Sequence, residues 1–85
     1  MSLIKVRAAI DRLDRELVRL LKKRMDLALK TKQFKTQVED LSREEEVENN
    51  LKSLAKEFGL DFDYLKKLYE IIINEGKKRQ IQGKS

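Results

Sequence analysis

Apolar side chains recur on alternating three- and four-residue steps from the start of the chain. Leu3, Val6, Ile10, Leu13, Leu17, Leu20, Leu27, Phe34 and Val38 hold the register, and Arg24 and Thr31 stand in the two vacancies. A period of 3.5 marks a helix with one apolar seam, so a single helix is expected over about residues 3–38. At 1.5 Å per residue it would be about 54 Å long, more than a domain of this size is wide. A partner helix of ordinary length does not cover such a seam.

The stretch VEDLSREEE breaks the register. Ser42, followed three residues later by Glu45, reads as a capping box with acidic residues in the first turn, which opens a second helix over about residues 43–58. Val47, Leu51, Leu54, Ala55 and Phe58 form its apolar stripe, and Gly59 is placed to end it as a left-handed cap. Asp61 is the expected N-cap of a third helix over about residues 62–81. There Leu65, Leu68, Tyr69, Ile72 and Ile73 face inward, while Lys77, Lys78 and Arg79 lie near the end, where cations suit the helix dipole. The expected fold is all-α, with a long, a short and a medium helix in one domain spanning residues 1–85. The second and third helices together nearly match the first, so two chains that pair their long helices and fold the shorter ones back make an intertwined homodimer.

Size and composition sharpen this picture. A chain of 85 residues with no Cys and no His has neither disulfide nor metal to offset its small core, and oligomerisation is the usual remedy. The same absences exclude zinc-thiolate sites, iron–sulfur clusters, thiol nucleophiles and imidazole bases. No metal or cofactor is expected. The net charge of +5 comes from 20 Lys and Arg against 15 Asp and Glu. It is segregated: residues 1–35 carry +7, residues 36–63 carry −6 and residues 64–85 carry +4. A basic chain can signal nucleic acid, but this pattern equally suits an acidic second helix packed near two basic ones. No apolar run approaches the roughly 18 residues of a membrane span, and MSLIKVRAAIDR carries charge too early for a secretory leader. A soluble, cytoplasmic protein is expected.

Most cations here belong on solvated faces, but Arg24 occupies a seam position between Leu20 and Leu27. A guanidinium there needs a partner for its forked donors. It pairs with a second-helix glutamate, snorkels to the edge, or meets a carboxylate ligand. On a continuous helix Lys35 lies roughly 16 Å further along and only about 20° around, so the two can hold a small dianion between them. Arg7 is roughly 25 Å away in the other direction and reaches the same ligand only from a second, antiparallel subunit. On the third helix Gly76 and Gln80 continue the inward stripe, and Gln80 is either a frayed-end amide or a donor into a pocket. The turn Ser42-Arg43-Glu44 offers free backbone donors, a cation and a carboxylate.

In order along the chain, these residues resemble the all-helical chorismate mutases. Arg7, Ile10, Asp11 and Asp14 are similar to the family's R-x-x-I-D-x-x-D, and Leu20, Leu21, Arg24 and Leu27 to its LL-x-x-R-x-x-L. Lys35 stands at the family's lysine, Asp40, Arg43 and Glu44 resemble D-x-x-R-E, and Tyr69 to Ile73 followed by Gln80 resemble F-x-x-I-I…Q. The resemblance covers nearly the whole chain. It implies a homodimer that rearranges chorismate to prephenate, on the route to Phe and Tyr, with no cofactor and no covalent intermediate. It also implies that Arg7 of one subunit, with Arg24 and Lys35 of the other, binds the two carboxylates. Lys35 and Gln80 would donate to the ether oxygen. Glu44 and the backbone near Asp40 would hold the ring hydroxyl, with Arg43 close by.

Two departures stand out. Lys35 and Arg43 are eight residues apart, which shortens the family's connection by roughly one helical turn. Gly76 replaces a serine that commonly adds a carboxylate contact, and one lost donor is worth about 1 kcal/mol. Weaker substrate binding is therefore expected. Two other functions remain open at this point: an isochorismate pyruvate lyase, which shares the fold and a similar anion pocket, and a noncatalytic basic helical module that binds acidic partners or nucleic acid. Few aromatics interleave the basic residues, which speaks against a stacking surface for single strands.

Overall fold

A computed structural model of the protein describes residues 2–34 and 40–82. The order is α1 (Leu3–Lys30), a 3₁₀ turn (Thr31–Gln33), α2 (Leu41–Phe58) and α3 (Phe62–Gln82), with no strand among the described residues. The all-α expectation of a long, a short and a medium helix holds.

The ends of the helices follow from local side-chain chemistry. Ser2 caps α1 by accepting from the Lys5 N–H at 3.2 Å. At the other end the Thr31 hydroxyl donates to the Ala28 carbonyl at 2.6 Å, and Phe34 N–H donates to Thr31 O at 2.9 Å. A hydroxyl on a carbonyl of the preceding turn satisfies a terminal acceptor, and 3₁₀ bonding tightens the next turn. The first helix therefore stops at Lys30, short of the expected end at 38. The seam pattern outlasts the helix: Phe34 lies beyond the turn and is 85% exposed, and Val38 falls outside the described residues.

The second helix begins two residues earlier than expected, because Asp40 and not Ser42 is its N-cap. The Asp40 carboxylate accepts from the Arg43 N–H at 3.0 Å, placing a negative charge at the positive end of the helix dipole. Gly59 ends α2 with φ at 68°, a conformation that costs a residue with a Cβ. Asp61 caps α3, accepting from the Tyr64 N–H at 3.1 Å, as the sequence implies.

Only Gly59, Leu60 and Asp61 separate α2 from α3, so the pair folds as an antiparallel hairpin. Leu51 and Ala55 are its buried apolar residues. Acidic α2 is tied to basic α3 by Lys66–Glu48 at 3.3 Å and by Lys77–Glu44, the complementarity that the charge segregation implies. The end of α1 joins this hairpin through Leu21, Met25 and Ala28, which share a hollow with Ile72 and Gly76 of α3. No residue of α1 is buried. The radius of gyration is 15.8 Å, against about 12 Å for a compact chain of this length.

Candidate active site

The end of α1, the start of α2 and the last turns of α3 enclose a cleft of about 320 Å3. Small-molecule sites run from about 300 to 1,000 Å3, so this one suits a compact ligand. Six residues singled out in the sequence line it: Arg24, Asp40, Arg43, Glu44, Gly76 and Gln80. Leu27, Val47 and Ile73 supply apolar wall.

Each polar group is held differently. The Arg24 guanidinium lies over the Tyr69 ring, 5.5 Å from its centroid. The pairing with a second-helix glutamate does not occur among the described residues: the cation is half-buried and stacks on an aromatic face. A ring face holds a guanidinium without using its in-plane donors, which leaves the fork for a carboxylate. Asp40 spends its carboxylate on the α2 cap. The Arg43 side chain turns outward to Glu46 at 3.2 Å, where both partners are exposed, so Arg43 brings its backbone to the cleft edge more than its charge.

Gln80 is no frayed end. It is 4% exposed, and its Nε2 donates to the Ala28 carbonyl at 3.2 Å. An amide nitrogen carries two protons, so the second is available to an acceptor in the cleft. Its Oε1 is buried without a hydrogen-bond partner among the described residues, a costly state that a donor from a ligand or water relieves. The Lys32 ammonium reaches the Gln80 carbonyl at 3.0 Å and satisfies an acceptor near the end of α3. Gly76 is buried against α1, yet a Cβ there would meet the Ala28 methyl only at 4.0 Å. The glycine is not forced by packing, and the cleft simply lacks the hydroxyl common at this position.

Of the expected site residues among those described, Arg7 is not brought in. Arg7 is exposed on α1, roughly 25 Å along the helix from Arg24, and does not line the cleft of its own chain. Lys35 lies outside the described residues. Its expected alignment with Arg24 requires an unbroken helix, and the 3₁₀ turn at Thr31–Gln33 removes that basis.

Lys77 lines the cleft as well, where the sequence suggests only a cation suited to the helix end. The signal is nonetheless present: residues 73, 76, 77 and 80 follow the i, i+3, i+4, i+7 spacing of one helix face.

Comparison with known proteins agrees with this geometry. Residues 6–81 match the family model described as chorismate mutase type II. A bifunctional chorismate mutase/prephenate dehydratase of Buchnera aphidicola subsp. Acyrthosiphon pisum is 31% identical over 83 residues, an alignment that takes in 93% of this chain and 22% of that relative. The chain thus spans about a fifth of that protein's length. A match over nearly all of three helices, whose ends converge on a cleft built from the motif residues, makes this chain a member of the chorismate mutase type II family.

Proposed function

We propose that the protein is a homodimeric chorismate mutase whose two sites are each completed by the partner chain. The convergence of Arg24, Glu44, Gly76 and Gln80, far apart in sequence, on one small cleft carries this reading. The reaction is an internal rearrangement in which an ether C–O bond breaks as a C–C bond forms. It needs no base and no cofactor, only a site that holds the reactive conformer and donors aimed at the oxygen that gains negative charge. Gln80 supplies the second proton of an amide that Ala28 already holds in place, and Arg24 supplies a fork for a carboxylate. In this reading Lys35 is the second donor to the ether oxygen, Glu44 and the backbone by Asp40 and Arg43 take the ring hydroxyl, and Arg7 enters from the partner.

Dimerisation is supported by what one chain leaves uncovered. Leu13 is 68% exposed and Leu17 57%. The solvent-accessible surface is 7401 Å2, against about 5,300 Å2 for a compact monomer of this mass. A second copy that lays its own α1 seam against this one buries the excess and brings Arg7 toward the cleft. The same proposal places the enzyme in the cytoplasm, the compartment of a biosynthetic reaction on a small anion.

The decisive measurement is the fall of chorismate absorbance with purified protein. Turnover well above the spontaneous rate is expected, and none at millimolar substrate would overturn the reading. A parallel assay with isochorismate separates the mutase from a pyruvate lyase.

A further inference from the structure

We propose that Lys77 is a positioning residue of the cleft, one that holds the Glu44 carboxylate and cancels its charge so that a dianion can enter. The inference rests on the mutase reading and deepens it. Lys77 shares its helix face with Ile73, Gly76 and Gln80, and its ammonium pairs with Glu44. Their side chains are 21% and 29% exposed, more sheltered than Lys66–Glu48 or Arg43–Glu46. Sheltered charges are less screened by solvent and interact more strongly.

The neighbouring charges give the pair its role. Among the described residues, Glu44 and Asp40 are the carboxylates that line the cleft. Asp40 is engaged by the α2 N-terminus, and the Arg43 guanidinium is turned to Glu46. Among the described residues, Lys77 is therefore the cleft cation that meets Glu44. Without it, a bare carboxylate faces an incoming dianion in a poorly screened site, where like charges repel. The pair also ties the first turn of α2 to the end of α3. That fixes Glu44 from the α3 side in a chain whose Lys35-to-Arg43 spacing is only eight residues.

Steady-state kinetics on chorismate with Lys77→Met and Lys77→Arg test this. Lys77→Met should raise KM by about tenfold, the size of one lost charge-assisted contact, with kcat held within about twofold. Lys77→Arg should restore KM. In a Glu44→Gln background the same Lys77→Met change should raise KM far less, because the charge it uncovers is gone. An unchanged KM, an equal rise in both backgrounds, or a loss confined to kcat overturns the proposal. Circular dichroism and sedimentation check folding. Should Lys77→Met not fold, Lys77→Gln takes its place, and if neither folds the residue is structural and the proposal fails. An inactive wild-type chain overturns the mutase reading instead. Calorimetric titration with chorismate then reads the Lys77 effect as a change in Kd, and absence of any binding overturns both.

Discussion

The α2–α3 hairpin and the first two-thirds of α1 are both amphipathic, yet only the hairpin buries part of its apolar stripe within the chain, at Leu51 and Ala55. Leu54, Phe58 and Leu68, expected to face inward, stay exposed. Three residues separate α2 from α3, so each helix meets its partner locally. There the caps at Asp40 and Asp61, the turn at Gly59 and the cross-helix ion pairs all agree. Of the α1 seam, Leu3, Ile10, Leu13, Leu17 and Leu20 are exposed, Leu13 most openly, and Val6 is half-buried. The cleft sits where the two regions meet. Its described walls come from the end of α1 and from the hairpin, while Arg7 remains on the uncovered half. One chain brings Arg24, Glu44, Gly76 and Gln80 to a cleft and leaves an apolar seam on α1, which the proposed second copy would cover.

The sharpest way to break this contrast is Leu17→Glu. In the proposed dimer a carboxylate on the seam would be desolvated against apolar surface, and twofold symmetry would make the penalty count twice. Sedimentation should show monomers, and chorismate turnover should fall to the spontaneous rate. A dimer that stays intact would show that the exposed half of α1 is not the interface.

Arg24→Ala acts on the other side of the boundary. It should lower kcat/KM by about 10²–10³-fold, the range for removing one preorganised donor, and leave the dimer intact. Arg7→Ala should be similarly inactive. Mixing and refolding the two inactive variants in equal amounts tests the division of labour directly. Half the dimers are then mixed, and each mixed dimer has one site with both arginines, so about a quarter of wild-type activity should return. No recovery means that both residues serve the same chain's cleft.

A smaller effect is expected at Gln80. Gln80→Leu removes the hydrogen bond to Ala28 but also the unpartnered buried Oε1. Thermal stability should change by about 1 kcal/mol or less, while kcat drops by about 10²-fold if the amide serves the ether oxygen. Circular dichroism melts and initial rates separate the two.

The smallest effect belongs to the uncovered half of α1. Glu16 has its carboxyl pKa lowered, first by the hydrogen bond from Arg19 and then by that residue's charge. A lowered pKa means that the pair contributes above the ordinary carboxylate range and loses its contribution as pH falls through the lowered value. Both side chains are about half exposed, so water screens them. Glu16→Gln should leave Tm unchanged at neutral pH, and only a measurable drop would give this pair a place in folding.

Much of the fold was legible because its causes are local. The caps at Asp61 and Gly59 depend on residues within one turn, and the apolar stripes of α2 and α3 depend on spacing alone. The end of α1 was not legible in the same way. The 3.5-residue seam runs on through Phe34 and Val38, and periodicity cannot register the Thr31 hydroxyl closing on Ala28. The cap of α2 was misplaced for a related reason: Asp40 and Ser42 are both good caps, and the backbone's approach decides between them. At the site, motif order located Arg24, Glu44 and Gln80 but gave none of their partners.

By itself, then, the sequence determined an all-α chain, its hairpin, its exclusion from thiol and imidazole chemistry, and the residues to suspect. These follow from side-chain identity and spacing, which are complete in one dimension. Only the tertiary structure decided that Arg24 rests on Tyr69 and not on a carboxylate, that Gln80 is buried and fixed by Ala28, and that Lys77 turns inward to Glu44. Those pairings join residues tens of positions apart. Their energies depend on distance and burial, and both exist only once the helices have packed.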